Sequence, residues 1–255
     1  MAEKKYTPMM QHYLKMKEEN PDAILFYRLG DFYEMFFDDA KLVSQELDLV
    51  LTGRSAGVEE KVPMCGVPFH AANSYISRLV KRGYKVAICE QLEDPSNSKG
   101  LVDRGIVKIV TPGTYMDSTM DAKTTNYMAS CDISSFEITV VYCELSTGEL
   151  KYQTLQRSLV ALQKALLEQN VSELVCPMAM DKKWMSALEE METILISKHK
   201  KSSVDSQDLP LLNGIESESL KEAFALLMAY LKDTQKQHID HFLPIESMDK
   251  DKVLV

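Results

Sequence analysis

The chain has 255 residues, enough for one large domain or two modest ones, and its 45% apolar and 26% charged residues are ordinary for a globular protein. No apolar run approaches the ~20 residues that cross a bilayer, and residues 1–6 lack the apolar core of a secretory signal, so the composition excludes a membrane protein and favours a cytoplasmic one. The formal charge of −9 is the opposite of the basic surface expected of a DNA-binding domain.

The acidic excess is unevenly distributed. Residues 1–120 hold 15 Lys and Arg against 17 Asp and Glu, whereas residues 121–255 hold 14 against 21. The near-neutral first half can approach phosphates through a local patch, but it has little capacity for the counterion release that dominates non-specific DNA affinity. The five cysteines show no Cys-x-x-Cys or Cys/His spacing, which indicates reduced core thiols and neither a zinc site nor a redox role.

The first half is predicted to alternate helices and strands. Thr7 followed by Pro8 is a helix start signal, and the first helix is expected to end near residues 20–21. Apolar residues at helical intervals predict a second helix over residues 31–47, with Phe32 off its apolar stripe. The other predicted elements are strands at 23–28, 49–52, 85–91 and 106–111, a polar loop at 53–61, and a helix at 71–82 closed by Gly83.

The second half begins after a break at residues 112–125, where Gly, Thr, Asp, Ser and Lys crowd together. Three strands with short connections then indicate an antiparallel meander, at 127–133, 136–145 and 150–155. Helices at 157–169, 182–191 and 217–232 alternate with strands at 171–176 and 193–197. The fold class is therefore α/β (α+β), and the second half has the element order of a ribonuclease H-like fold. Residues 249–255 carry no terminating signal, as if a longer chain continued.

Five short motifs, read together, resemble the MutS family of DNA mismatch-repair proteins in order and spacing. The central one is Gly30-Asp31-Phe32-Tyr33-Glu34-Met35-Phe36, which resembles the Phe-x-Glu element with which that family inspects a base pair. The others lie at residues 7–10 (TPMM), 64–70 (MCGVPFH), 86–92 (VAICEQL) and 109–114 (IVTPGT). The resemblance implies a mixed-sheet mismatch-recognition domain at 1–115, a linker at 116–125 and a ribonuclease H-like connector domain at 126–255.

Phe32 and Glu34 are the residues to which the resemblance assigns base contact. It implies that Phe32 inserts between stacked bases from the minor groove, where unstacking costs least if pairing is already defective. It implies that Glu34 hydrogen-bonds the displaced base. The residues themselves leave another interpretation open: Phe32 as a core aromatic, and Glu34 as the third residue of a helix capped by Asp31 in a capping box.

Six further residues are expected near the DNA around this wedge. The resemblance implies that they are Arg54, Lys61, Met64, Pro68, Phe69 and His70. Structural alternatives stay open for several of them. His70 can begin its helix, Met64 can belong to the core, and the two basic residues can be solvated or hold phosphates.

No cofactor is expected in this chain, because neither Gly-x-x-x-x-Gly-Lys-Ser/Thr nor Gly-x-Gly-x-x-Gly occurs in it. The resemblance assigns ATP and Mg²⁺ to an ATPase domain of the full-length protein, so the chain by itself is not expected to be an enzyme. The partners it implies are mismatched double-stranded DNA, a MutL-type protein at the connector domain, and a second copy in a homodimer. The implied location is the bacterial cytoplasm, in association with the nucleoid.

Two rival functions stay open on the residues. A metal-dependent ribonuclease H-like nuclease needs converging carboxylates, of which Asp132 and Glu144 could supply two without an evident third. A protein-binding module without DNA preference is the other. A MutS-like protein that binds junctions or recombination intermediates would not be expected to retain Phe-x-Glu.

Overall fold

The computed structural model describes residues 6–92, 103–116, 125–237 and 239–249. The chain divides into two compact units, Met1–Thr111 and Pro112–Val255. Most of the predicted linker, residues 117–124, and the end of the chain, residues 250–255, lie outside the described residues. Within the described part of the chain, no helix combines the length and apolar character needed to cross a membrane.

The first unit is built on a six-stranded mixed sheet. Its strands are β1 (Ala23–Leu29), β2 (Phe32–Phe36), β3 (Thr52–Arg54), β4 (Val62–Pro68), β5 (Lys85–Gln91) and β6 (Arg104–Val110). Its helices are α1 (Pro8–Glu19), α2 (Phe37–Leu47) and α3 (Ala72–Val80), with a 3₁₀ turn at Phe69–Ala71. The strand order is β3-β4-β2-β1-β5-β6, in which β1 and β5 are parallel and the other neighbours antiparallel. The prediction of a mixed α/β unit is confirmed.

Helix α1 begins as its sequence predicts. The Thr7 hydroxyl accepts a hydrogen bond from the Met10 amide at 3.4 Å, and Pro8 occupies the first turn. Met10, Tyr13 and Met16 then recur at three-residue spacing and are buried against β1 and the end of β2. The Tyr13 hydroxyl bonds both the amide and the carbonyl of Phe36, which fixes the junction between β2 and α2.

The helix predicted over residues 31–47 is wrong in its first third. Residues Phe32–Phe36 form strand β2, and α2 begins only at Phe37, whose φ of +54° lies in the left-handed region. Exposure along β2 alternates with the two-residue period of a strand: Phe32 is exposed, Tyr33 buried, Glu34 intermediate and Met35 buried. Glu34 is therefore not the third residue of a helix, and the capping-box interpretation is wrong.

Two further boundaries differ from the sequence-based expectation. The strand predicted at 49–52 lies at Thr52–Arg54, because Val50 is 84% exposed and does not join the sheet. Strand β4, for which the sequence predicts no element, pairs with both β2 and β3. Gly83, by contrast, has the expected left-handed φ of +87° just after α3.

The second unit has a second six-stranded sheet with helices on both faces. Its strands are β7 (Tyr127–Ile133), β8 (Glu137–Glu144), β9 (Glu149–Gln156), β10 (Val171–Pro177), β11 (Leu195–His199) and β12 (Glu246–Ser247). Its helices are α4 (Leu159–Glu168), α5 (Lys182–Glu189) and α6 (Glu218–Gln235). The strand order is β11-β10-β7-β8-β9-β12. The meander β7-β8-β9 is antiparallel, whereas β10 runs parallel to β7 and β11 parallel to β10.

Two apolar layers hold this unit together. Helix α6 packs on the face that carries Met128, Val141 and Cys143, and α4 and α5 cover the opposite face. The predicted order of three strands followed by alternating helices and strands is confirmed, and β12 is an addition that the sequence did not predict.

Candidate nucleic-acid interface

Phe32 lies at the tip of the hairpin that joins β1 to β2. The turn passes through Gly30 in the left-handed region, at a φ of +56°. Phe32 and Phe36 share one face of the sheet by strand alternation, but α1 covers only Phe36, whose ring lies 4.9 Å from that of Tyr13. The Phe32 side chain is left 46% exposed on a strand whose neighbours Tyr33 and Met35 are buried. Core aromatic side chains are normally buried, so an exposed aromatic on a paired strand is suited to contact with a partner.

Gly66, on strand β4, lies directly beside Phe32. The register pairs Phe32 with Pro68 and Glu34 with Gly66 across β2 and β4. A β-carbon placed on Gly66 would lie 3.5 Å from the Glu34 Cγ and 3.9 Å from the Phe32 Cδ1, and 3.3 Å from the Tyr33 carbonyl oxygen. The side chains of Phe32 and Glu34 therefore occupy the space that a larger residue at position 66 would need.

Glu34 is held by Arg54. The Nη1 of Arg54, on β3, donates to the Oε2 of Glu34, and the two side chains are 38% and 16% exposed respectively. Strand pairing places Arg54 on the same face as Glu34, since Arg54 pairs with Val62 and Glu34 with Gly66 on β4. The structure thus brings together Phe32, Glu34, Arg54 and Pro68 on one face of the sheet.

Phe69 and His70 follow Pro68 and form the other side of the hairpin tip. Phe69 is 43% exposed, its amide donates to the Asp31 carbonyl at 2.9 Å, and its ring meets that of His70 edge-on at 6.1 Å. His70 lies in the 3₁₀ turn that leads into α3, so the expectation that it begins its helix is close to what is observed. Two aromatic side chains, Phe32 and Phe69, are therefore exposed at neighbouring points of this tip.

Arg28 is a residue of this site that sequence reasoning missed. Its guanidinium carbon lies 3.7 Å from the centre of the Phe69 ring, its Nε donates to the Gly30 carbonyl at 2.6 Å, and its Nη1 lies 3.6 Å from the Glu90 carboxylate. The Tyr33 hydroxyl donates to the same carboxylate. Arg28 therefore links the hairpin turn, the aromatic after β4 and strand β5. Its position at the end of a predicted strand was the available signal, but Phe69 and Glu90 are distant from it in sequence.

Met64 and Lys61 are less directly part of the tip. Met64 is half-buried against the apolar cluster under α1, which agrees with the core interpretation. Lys61 precedes β4, at the end of the strand away from Pro68, and is exposed with its side chain beside Gly53. Among the described residues Lys61 makes no ion pair, so its ammonium is accessible to an anion.

The cysteines show no sign of reactivity. All five are free and buried, and burial raises the pKa of the Cys65 and Cys89 thiols to about 12. A thiol with so high a pKa is protonated at neutral pH and is therefore a poor nucleophile. These side chains act as small apolar residues of the two cores.

The carboxylates that a nuclease would need do not come together. Glu144 pairs with Tyr127 at the start of β7, whereas Asp132 lies near the end of that strand. Asp132 accepts from Ser219 at 2.8 Å and from Lys201 at 3.4 Å, and Glu144 accepts from the residues of the next turn, Ser146 and Thr147. In the ranges that the structure describes, no group of three or more His, Cys, Asp and Glu side chains could hold a metal ion.

A cavity of about 570 Å³ opens at the carboxyl ends of the parallel strands β7 and β10. Its polar lining consists of Asp132, Asp181, Arg157, Lys183 and Lys201. Most of these groups already have partners: Asp132 binds Lys201 and Ser219, Asp181 caps α5, and Arg157 donates to the Ser134 carbonyl and lies over Trp184. The lining thus has two carboxylates against three cations, which is not the acidic cluster of a metal-dependent nuclease.

Comparison with known proteins gives a consistent result for both units. Residues 7–119 match the family model described as MutS domain I. The chain is 45% identical over 248 residues to the DNA mismatch repair protein MutS of Clostridium tetani, covering 93% of the chain and 28% of that protein. It is 42% identical to the protein of the same name from Bacillus licheniformis, over 98% of the chain, and 40% identical to that of Bacillus subtilis, also over 98%. The chain spans a little over a quarter of the length of these curated relatives.

Proposed function

The chain belongs to the MutS family of DNA mismatch-repair proteins, and from that premise we propose that its first unit recognises mispaired or unpaired bases in duplex DNA. The observation that carries the proposal is the exposed Phe32 on a rigid strand at the hairpin tip, with Glu34 on the same face. In this proposal residues 1–115 act as the mismatch-recognition domain.

Phe32 acts by insertion from the minor groove. A flat apolar ring can enter a base step if that step is unstacked, and the cost is lowest where pairing is already defective. Recognition then depends on how easily the DNA deforms and not on its sequence. This mode of recognition also fits the charge of the chain, because 255 residues of net charge −9 gain little from sequence-independent attraction to phosphates.

Glu34 supplies the polar contact to the displaced base. It lies two residues from Phe32 and on the same face, so both side chains can address one base step. The alternation that places Phe32 and Glu34 on one face places the buried Tyr33 and Met35 on the other, which anchors the pair in the sheet. A site on a paired strand keeps the geometry that wedge insertion needs.

The second unit is proposed to be the connector domain, ribonuclease H-like in fold. The support is its topology: counted within this unit, the five strands β7 to β11 have the order 3-2-1-4-5, with the first three antiparallel and the last two parallel to the first. It would relay mismatch binding to the ATPase and contact a MutL-type partner. ATP, Mg²⁺ and homodimer formation are assigned to the full-length protein, and the chain itself is proposed to be non-catalytic.

The test is the equilibrium binding of the intact protein to two duplexes that differ by one unpaired thymine. Fluorescence anisotropy gives both affinities, and their ratio measures discrimination. We expect Phe32→Ala to lower this ratio by about tenfold or more, because each aromatic–base stack is worth about 1–3 kcal/mol. Phe136→Ala is the matched control, since Phe136 is 89% exposed on the hairpin between β7 and β8 of the other unit.

The outcomes separate the proposed function from its rivals. Unchanged discrimination in Phe32→Ala would mean that the Phe-x-Glu element is structural in this protein. Equal affinity of the unaltered protein for both duplexes would favour the protein-binding module. Cleavage of either duplex in Mg²⁺ or Mn²⁺, lost in Asp132→Asn, would favour the nuclease.

A further inference from the structure

We propose that Arg54 is the positioning residue and counter-ion of Glu34, and not a contact to the DNA backbone. The inference rests on the proposed function of Glu34 as the base contact. It assigns to Arg54 a role in discrimination between mismatched and matched DNA. The family resemblance implies only that Arg54 lies near the DNA.

The geometry commits Arg54 to Glu34. The donor is the Nη1 of Arg54 and the acceptor is the Oε2 of Glu34, whose side chain is only 16% exposed. The other carboxylate oxygen, Oε1, makes no hydrogen bond with a described residue. The pair therefore fixes one oxygen of Glu34 and leaves the other without a hydrogen-bond partner among the described residues.

Electrostatics gives the pair its function. An unpaired carboxylate close to DNA is repelled by the phosphates, and removing it from water is costly. A guanidinium bonded to that carboxylate cancels most of its charge and fixes its orientation through a rigid fork of donors. With Arg54 bound, Glu34 can approach a base without the repulsion that a free carboxylate would meet.

Lys61 provides the contrast. It is exposed, makes no ion pair with a described residue, and its side chain lies beside Gly53, the residue before Arg54. The two residues are close along the β3–β4 pair, but strand alternation places the Lys61 side chain on the face of Gly53, opposite that of Arg54, and only Arg54 is bound to Glu34. Substituting Lys61 therefore removes one positive charge from the same strand pair while leaving Glu34 and its partner in place.

The experiment compares Arg54→Gln with Lys61→Gln in the intact protein, on the mismatched and matched duplexes and over a series of salt concentrations. We expect Arg54→Gln to lower the mismatched-to-matched affinity ratio about tenfold, as for loss of a hydrogen bond between charged groups. Affinity for the matched duplex and its salt dependence should not change. Arg54→Lys should restore part of the ratio, because it returns the charge without the fork.

A second background makes the test specific. In Glu34→Gln the neutral amide needs no counter-ion, so adding Arg54→Gln should have no further effect on the ratio. If Arg54 contacts a phosphate instead, Arg54→Gln will lower the affinity for both duplexes by the same factor and lower the slope of log affinity against log salt by about 0.9. It will also have the same effect in the Glu34→Gln background as in the wild type. That result would overturn the inference.

The inference and the proposed function fail in different ways. If Phe32→Ala loses discrimination and Arg54→Gln weakens binding to both duplexes equally, the proposed role of Phe32 stands and that of Arg54 is overturned. Unchanged discrimination in both Phe32→Ala and Glu34→Gln would overturn the proposed function. A further result would also contradict the role of Arg54. It is that Arg54→Gln weakens binding to the matched duplex while the mismatched-to-matched affinity ratio and the salt slope stay unchanged.

Discussion

The guanidinium of Arg28 lies 3.7 Å from the centre of the Phe69 ring, at the point where the β1–β2 turn meets the end of β4. The same side chain bonds the Gly30 carbonyl and approaches Glu90 on β5. Cation–π contacts of this kind contribute about 0.5–2 kcal/mol, depending on how far the cation is removed from water. Arg28 therefore stiffens the tip that carries Phe32 without contacting Phe32 itself.

Replacing Arg28 should loosen this tip. Arg28→Gln removes the charge that faces both Phe69 and Glu90, and we expect the amides of residues 30–34 to exchange hydrogen with solvent faster in hydrogen-exchange mass spectrometry. Discrimination by the intact protein should fall several-fold while matched binding changes less. Arg78→Gln, on the exposed face of α3, is the control. Equal exchange in wild type and Arg28→Gln would show that the strands alone hold the tip.

Gly66 should be intolerant of branched side chains. A β-carbon there would meet the Tyr33 carbonyl oxygen at 3.3 Å and the Glu34 Cγ at 3.5 Å, so alanine requires a small adjustment and valine displaces Glu34 or Phe32. We expect Gly66→Val to reduce discrimination at least as much as Glu34→Ala. Gly66→Ala should have an intermediate effect. Retained discrimination in Gly66→Val would mean that Glu34 does not need its observed position.

Glu173 should be important for the stability of the second unit. It is fully buried and accepts hydrogen bonds from the Gly113 amide at 3.0 Å and from the Ser197 and Tyr230 hydroxyls at 2.6 Å each. Glu173→Leu leaves these donors without that acceptor, and we expect a loss of about 3 kcal/mol in the free energy of unfolding. Tyr230→Phe should cost about 1 kcal/mol, since it removes only one donor.

Urea unfolding of the 255-residue chain can measure both changes, because its one tryptophan, Trp184, lies in α5 of this unit. Glu192→Gln, at an exposed position, is the control. If Glu173→Leu proves as stable as the wild type, the buried carboxylate contributes no net stability, as happens when apolar packing replaces a buried polar network.

Glu144 should make the second unit sensitive to acid. Burial by itself would raise its pKa, but hydrogen bonds from Ser146 and Thr147 outweigh burial and lower the pKa below the ordinary 4.5. A lowered pKa in the folded state means that the carboxylate contributes stability above about pH 4.5, which is lost as the pH falls below that value. Glu144→Gln should reduce stability at pH 7 and flatten its dependence on pH below 4.5. Parallel pH profiles for the two proteins would contradict this.

Local sequence signals predicted the helices and strands that have clear start, stop or spacing patterns. Thr7 with Pro8 gave the start of α1, and Gly83 gave the end of the α3 region, because capping and left-handed turns depend on a few adjacent residues. The segment at residues 32–36 was assigned to a helix because its apolar residues continue the helical spacing of the residues up to Leu47. Its strand conformation depends on β1 and β4, which pair with it on either side.

The residues of the candidate site also fall into two groups, those identified from local sequence and those that only the fold brings together. Phe32 and Glu34 were identified from a motif of adjacent residues, and the structure keeps both on one face. Arg28, Gly66 and the bond between Arg54 and Glu34 were not identified, since they join positions 20 to 62 residues apart in the chain. Such contacts follow from strand order, which a single sequence does not contain in readable form.

The sequence by itself indicated the family, the mixed α/β class and the candidate residues Phe32 and Glu34, because these depend on identity and spacing within short segments. Only the tertiary structure decided that Phe32 is exposed while Phe36, on the same face, is covered by α1. It also decided that Glu34 faces Gly66 and is bound by Arg54. The physical reason is that exposure and ion pairing are properties of neighbours in space, and in a sheet those neighbours come from strands that are distant in sequence.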